Sequence, residues 1–151
     1  MNMITVFAGV LLFFSAALIG LWVKRRFIRK AAFYESYYRF LQYAWDKISY
    51  ERMPIGEIKS SYCQGKSDEF CEYLQGESAA PPLSEGEMAS IAKYLSSIGT
   101  SDADTEIALL SGKCSELKRF TEENCAKLRK DGTLYFKLAV LLGVVAFIII
   151  V

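Results

Sequence analysis

The sequence predicts an all-α protein in which two transmembrane helices flank a cytoplasmic antiparallel helical bundle. Three observations lead to this prediction. An apolar run lies near each end of the 151-residue chain, the residues between the runs recur at helical spacing, and no stretch shows the alternating pattern of a strand. We therefore divide the chain into a transmembrane helix at residues 1–23, a helical bundle domain at 24–132 and a second transmembrane helix at 133–151.

The first apolar run, residues 4–23, contains 20 residues without a charge. As a helix it would be about 30 Å long, which matches the hydrocarbon core of a bilayer. The alternative is a cleaved secretory signal peptide, which normally carries a basic region before its apolar segment. In this chain the basic residues follow the run, so the pattern favours a retained anchor.

The second apolar run begins at residue 133, and residues 138–151 carry no charge. Tyr135 and Lys137 near its start suit a membrane interface, because aromatic rings and snorkelling ammonium groups favour that depth. The alternative is the core helix of a soluble domain, which normally keeps one polar face. Because this run has no polar face, the pattern favours a helix that just spans the bilayer.

Basic residues lie on the inner side of both apolar runs. The two basic blocks consist of Lys24, Arg25, Arg26, Arg29 and Lys30, and of Lys127, Arg129 and Lys130. Loops rich in lysine and arginine stay on the cytoplasmic side of a membrane. We therefore expect a cell-membrane protein with residues 24–132 in the cytoplasm and both termini outside.

Small residues occupy corresponding positions in the two runs: Ala16 and Gly20 in the first, Ala139 and Gly143 in the second. In an antiparallel pair these small-xxx-small motifs fall at similar depth, and such motifs let helix backbones approach closely. They also occur by chance in apolar sequences, so a packing face and no role both stay open. A packing face would join the two spans of one chain or the subunits of a homo-oligomer.

The first half of the middle region has helical periodicity. An apolar and aromatic stripe runs through residues 27–52 and should end before Pro54, because the residue before proline avoids helical geometry. Short helices are expected within residues 55–76. A loop is expected at residues 77–83, where two prolines rule out a helix interior.

The second half of the middle region predicts a helical hairpin. Ser84 and Glu87 form a capping box at the start of its first helix, and Gly99 suits the end of that helix. The second helix is expected at residues 102–130 and should end before Gly132. It would then lead into the second apolar run.

The composition excludes several function classes. The chain has no histidine, so neither a Ser-His nor a Cys-His nucleophile pair can form. No phosphate-binding glycine loop of either common type is present. Residues 31–126 hold 16 acidic and 9 basic residues, which argues against nucleic-acid binding. We therefore expect no enzyme, no catalytic residue and no cofactor.

The four cysteines carry two interpretations. Cys63, Cys71, Cys114 and Cys125 contain no C-x-x-C pair, although four thiolates that converge in space could bind zinc. In a reducing cytoplasm, small buried apolar residues are the simpler interpretation. The sequence therefore predicts no metal site.

Acidic side chains gather at the start of the predicted last helix, where Asp102, Asp104 and Glu106 follow one another at every second position. Helix capping and the macrodipole explain such a cluster. The second interpretation is a docking point for a basic surface of a protein partner. Capping is favoured, and docking stays open as a hypothesis.

Three stretches of the chain are similar to those of a known family. They are LQYAWDKISYERMPIGEI, YLSSIGTSDADTEIALL and KDGTLYFKLAVLLGVVAFIIIV. Together they resemble the stage III sporulation protein AB family of endospore-forming bacteria. The resemblance covers most of the chain, and residues 63–83 match less well and are shorter than in the family.

This resemblance implies a platform protein of a sporulation secretion-like complex between mother cell and forespore, placed in the mother-cell membrane facing the forespore. It also implies a helical domain similar to that of platform proteins in type II secretion and type IV pilus systems. The implied partners are a secretion-type ATPase, stage III sporulation protein AA, and other complex members. It implies no catalytic residue. The alternative function is a generic two-span membrane adaptor or regulatory scaffold unrelated to sporulation.

Overall fold

The computed structural model describes residues 3–77 and 83–150. These residues are predominantly helical and include no strand, and two long apolar helices flank a helical middle region. The all-α fold class is thus confirmed. Most of the loop predicted at residues 77–83 lies outside the described residues.

Six α-helices and two π-helical turns follow one another along the described chain. Two of the helices, α2 and α3, are the short helices expected before the loop. The α-helices are α1 (Met3–Asp46), α2 (Ile55–Cys63), α3 (Glu69–Gln75), α4 (Glu85–Ser97), α5 (Ala103–Phe120) and α6 (Ala126–Ile150). The π-helical turns are Lys47–Glu51, after α1, and Thr121–Cys125, after α5.

Packing divides the chain into two compact units. The helix-pair unit combines the chain up to Arg29 with the chain from Ala126 onward, and the bundle unit is Lys30–Cys125. The domain boundaries predicted at residues 24 and 132 followed the ends of the apolar runs, whereas these units follow which parts of the backbone lie close together. As a result, every residue of the two basic blocks except Lys30 belongs to the helix-pair unit.

The core of the bundle unit is aromatic. The ring of Phe70 on α3 lies 5.4 Å from that of Phe33, 5.6 Å from that of Tyr37 and 5.6 Å from that of Phe40. Separations of this size favour aromatic pairs beyond their burial. Much of the stripe expected at residues 27–52 thus lies in the core, where Phe70 anchors α3 on α1, whereas Phe27 belongs to the helix-pair unit.

Local signals set several helix ends. The predicted capping box is confirmed, since Ser84 accepts from the Glu87 amide and the Glu87 carboxylate accepts from the Ser84 amide. Gly99 follows α4 with a φ of +87°, and a Cβ there would lie 2.8 Å from Cγ2 of Ile55. Glycine is needed at this position both for its backbone angle and for its lack of a side chain.

The prediction that the last helix of the domain ends before Gly132 is wrong. Helix α6 continues through this residue to Ile150. Gly132 is buried, and a Cβ on it would lie only 2.9 Å from Cβ of Phe27. This glycine therefore permits a close helix contact and does not terminate the helix.

Two helices among the described residues are long and apolar enough to cross a membrane. Only 11% of the most apolar 18-residue window of the first is buried, and only 6% of that of the second. Large apolar side chains point outward along both, including Leu18 at 65% exposure and Ile148 at 68%. A core helix of a soluble domain would bury these side chains.

Candidate functional site

The helix-pair unit is held together at glycines. A Cβ on Gly20 would lie 2.7 Å from Cβ of Ala139, and a Cβ on Gly143 would lie 3.2 Å from Cβ of Ala16. The structure therefore brings the four residues of the two small-xxx-small motifs together within one chain. Later residues of the first segment meet earlier residues of the second, so the pair is antiparallel.

A third glycine contact was not predicted from the sequence, because Gly132 was interpreted as a helix end. Gly132, Ala139 and Gly143 stand seven and four residues apart, which places them on one face of a helix. That spacing was the signal that could have identified the contact with Phe27. Close to it, the rings of Phe27 and Tyr135 stack at 5.6 Å.

The predicted docking carboxylates separate into two exposed residues and one buried residue. Asp102 caps α5, and its Oδ2 accepts from the Thr105 amide at 3.3 Å, a hydrogen bond that lowers the pKa of Asp102. The Asp104 side chain is 83% exposed, and its Oδ1 lies 3.4 Å from Nη2 of Arg52. Both carboxylates are therefore accessible to a partner protein.

Glu106 departs from the docking hypothesis, because only 4% of its surface is exposed. It stands one helical turn before Leu110, which is fully buried, and residues four apart share a face. The apolar stripe of α5 thus carries Glu106 inward. Its Oε2 has no hydrogen-bond partner among the described residues, and it lines a small cavity of about 260 Å³ with Arg52 and Ser101.

A wider groove of about 850 Å³ runs along the bundle unit between side chains of α1, α4, α5 and the second π-helical turn. Two ion pairs lie along it: Lys113 with Glu116 at 2.8 Å and Arg119 with Glu123 at 3.7 Å. Because these charges neutralise one another, the groove has no strong preference for an anion or a cation. Tyr37 lines it with a buried hydroxyl that has no described partner.

Glu87 on the rim of this groove links α4 to α1. Its carboxylate accepts from Lys30 at 2.9 Å, from the Tyr34 hydroxyl at 3.0 Å and from the Ser84 amide at 2.9 Å. Burial would raise the pKa of Glu87, but the hydrogen bonds from Lys30, Ser84 and Tyr34 outweigh burial and hold it at about 2. Burial, reinforced by Glu87, raises the pKa of Tyr34 above its usual range.

The structure describes Cys63, Cys71 and Cys114 as free thiols. Cys63, Cys71 and Cys125 are buried, and burial raises the pKa of both Cys71 and Cys114. Among the described residues, no group of three cysteine, aspartate or glutamate side chains could hold a metal ion. The Cys125 thiol donates a weak hydrogen bond to the Ala31 carbonyl at 3.6 Å.

Comparison with known proteins finds no matching protein-family model, no similar curated protein and no similar solved structure. The candidate sites are therefore defined by the geometry described above. They are the glycine contacts of the helix pair and the exposed carboxylates at the start of α5.

Proposed function

We propose that the protein is a non-enzymatic membrane platform with two spans, whose bundle unit docks a cytoplasmic protein. The observation that carries this proposal is the helix pair. Its two segments pack through glycine and alanine contacts and leave large apolar side chains exposed to their surroundings. In water such a surface would be unfavourable, whereas lipid chains would cover it.

The proposed orientation follows from the basic residues. Arg25, Arg26, Lys127 and Lys130 lie at the end of the helix pair where the chain enters and leaves the bundle unit. Under the positive-inside rule this end faces the cytoplasm. The bundle unit, which begins at Lys30 and ends at Cys125, is then cytoplasmic as well.

Limited proteolysis tests this orientation. Protease added to spheroplasts should leave the bundle unit intact, and protease added to inverted vesicles should cleave it. A cytoplasmic enzyme and a protein exposed on the outer face of the membrane serve as controls for the two preparations. Cleavage of the bundle unit in intact spheroplasts would contradict the proposed orientation and the docking of a cytoplasmic partner.

The finer proposal rests on the resemblance to the stage III sporulation protein AB family. In this proposal the protein belongs to a secretion-like complex between mother cell and forespore, and a secretion-type ATPase, stage III sporulation protein AA, docks on the bundle unit. Asp102 and Asp104 are the proposed docking carboxylates. The pair between Asp104 and Arg52 is exposed and 3.4 Å long, so a basic side chain of a partner can replace Arg52 at little cost.

A pull-down with the purified ATPase tests this docking. The variant Asp102→Asn with Asp104→Lys keeps a capping oxygen at residue 102 and changes the local charge. We expect it to bind the ATPase about tenfold more weakly, a loss typical of one or two interface charges. The matched control, Glu72→Gln with Glu122→Lys, makes the same charge change at exposed residues elsewhere.

The results separate the proposals from one another. If both variants bind the ATPase equally well, Asp102 acts only as a helix cap, and the docking site does not lie at the start of α5. If the unmodified chain does not bind the ATPase, and a strain without the protein still forms mature spores, the sporulation proposal fails. A generic two-span adaptor would then be the better description.

A further inference from the structure

Basic side chains concentrate at one end of the helix pair. Residues 24–29 and 127–137 contribute four cations each, and Asp131 is the one carboxylate within these two stretches. The bundle unit, by contrast, contains more acidic than basic residues. We call the cationic set the basic belt, and its members are Lys24, Arg25, Arg26, Arg29, Lys127, Arg129, Lys130 and Lys137.

The two halves of the basic belt are brought together by a close backbone contact. A Cβ on Gly132 would lie 2.9 Å from Cβ of Phe27 and 3.4 Å from the carbonyl oxygen of Lys24. The stacked rings of Phe27 and Tyr135, 5.6 Å apart, lie beside this contact. Cations that are about one hundred residues apart in the sequence therefore surround a single helix crossing.

Several belt cations are available to an external anion. Arg25, Arg26, Lys127 and Lys130 are exposed. None of these four pairs with a carboxylate in the part of the chain that the structure describes. Because like charges crowded at one crossing repel one another, an anion that lies among them would relieve that repulsion.

Aromatic and apolar side chains border the belt on the side toward the apolar helices. The Arg26 guanidinium lies 5.8 Å from the centre of the Trp22 ring, and the Lys24 ammonium lies 5.5 Å from that of Phe136. Trp22 is 63% exposed and Leu138 is 48% exposed. A cationic group next to an exposed apolar surface matches a ligand that has an anionic head and apolar chains.

We infer that the basic belt is a binding site for anionic phospholipids, which it selects over zwitterionic ones. This inference rests on the proposed function, because it requires the helix pair to lie in a bilayer. The phosphodiester headgroup would contact cations from both segments, while the acyl chains cover the apolar side chains beside Trp22. The positive-inside rule accounts for orientation alone, whereas this site predicts an enrichment of particular lipids around the protein.

Quenching of Trp22 fluorescence by brominated lipids tests the inference. The full chain with Trp45→Phe is reconstituted into vesicles that contain either brominated phosphatidylglycerol or brominated phosphatidylcholine. At low salt we expect the anionic lipid to bind near Trp22 about thirtyfold more strongly, which corresponds to two favourable cation contacts, one from each segment. This preference should decline in high salt, because salt screens the attraction.

A matched pair of charge variants makes the test specific. The belt variant, Arg25→Gln with Lys127→Gln and Lys130→Gln, should lose most of the preference for phosphatidylglycerol. The control variant, Arg39→Gln with Lys93→Gln and Lys118→Gln, removes the same number of exposed cations from the bundle unit and should keep it. Circular dichroism checks that both variants remain helical.

Each outcome has a distinct meaning. Equal quenching by the two lipids, or an unchanged preference in the belt variant, would overturn the lipid site. Loss of the preference when glycerol phosphate is added at constant ionic strength would also overturn it and assign the belt to a soluble phosphate. If neither brominated lipid quenches Trp22, the helix pair is not in the bilayer, and the proposed function fails together with the inference.

Discussion

At the scale of single residues, the Glu87 side chain connects two helices of the bundle unit. Its carboxylate accepts a hydrogen bond from the Ser84 amide at the start of α4. It also joins α4 to α1 by accepting hydrogen bonds from Lys30 and Tyr34. Its side chain is 29% exposed, so water weakens these interactions only in part. Hydrogen bonds to a partly buried charge contribute more to stability than those between neutral groups.

Replacement of Glu87 by glutamine isolates the contribution of its charge. Glutamine can keep the capping bond to the Ser84 amide, but it removes the ion pair with Lys30. We expect Glu87→Gln to lower the free energy of unfolding by about 1–2 kcal/mol, measured by urea unfolding of the bundle in detergent. Glu85→Gln, at an exposed neighbouring position, should change it little. Equal effects of the two variants would contradict this role.

The lowered pKa of Glu87 also predicts how stability depends on acidity. Its folded pKa is about 2, against an ordinary value of 4.5. A carboxylate with a depressed pKa contributes its full stabilisation above the ordinary value and loses it as the pH falls toward the folded value. The thermal unfolding temperature should therefore fall between about pH 4.5 and pH 2, and less so in Glu87→Gln. Parallel pH profiles of the two proteins would be inconsistent with the prediction.

At the scale of elements, the helix pair depends on the absence of side chains at its crossings. Gly20 and Gly143 each face an alanine of the opposite segment, and a Cβ added to these glycines would lie 2.7 Å and 3.2 Å from that alanine's Cβ. A larger residue must push the helices apart, because the alanine Cβ is fixed to its backbone and cannot rotate away. A single substitution at one crossing therefore changes the packing of the whole helix pair.

Gly143→Leu should weaken this pairing. In a chain with Phe27→Cys and Tyr135→Cys, at residues whose rings stack at 5.6 Å, and with the four native cysteines replaced by alanine, a short bifunctional maleimide should crosslink the two segments. Gly143→Leu should slow this crosslinking about tenfold, as expected for overpacking of one contact. Gly112→Leu is the control, because a Cβ at Gly112 meets nothing within 4 Å. An equal rate in both variants would show that the Gly143 contact does not hold the pair together.

At the scale of the whole molecule, the two units carry opposite charge. The helix-pair unit contains the basic belt, whereas acidic residues outnumber basic ones in the bundle unit. Such an asymmetry is typical of a membrane protein, in which the basic segments next to the spans determine which side stays in the cytoplasm. It also places the proposed anion-binding and partner-docking surfaces on different units.

Reversal of the belt charges should disturb the orientation. We expect a variant with glutamate at residues 25, 26, 127 and 130 to leave a substantial fraction of molecules with the bundle unit outside, because half of the orienting cations are lost. Protease accessibility in spheroplasts measures that fraction. A matched charge reversal at Arg39, Lys66, Lys93 and Lys118 should have a smaller effect, since those residues lie farther along the chain from the apolar runs. A fully protected belt variant would contradict the assigned role.

Much of the fold could be predicted because its signals are local. The apolar runs identify two long helices, and Ser84 with Glu87 identifies the start of α4, since a capping box involves neighbours only. The alanine and glycine pairs also pointed to a contact, because their spacing places them on one face. In each case the residues that interact are close in sequence or repeat with a helical period.

The amino-acid sequence alone was thus sufficient to predict the helical content, the two apolar segments and the uneven placement of charge. Three features depend on the folded chain: Gly132 is a crossing point within α6, Glu106 is buried, and Lys30 and Tyr34 reach Glu87. The physical reason is that glycine permits both a helix end and a close contact, and glutamate permits both exposure and burial. Only the neighbours that folding brings from distant parts of the chain distinguish between these roles.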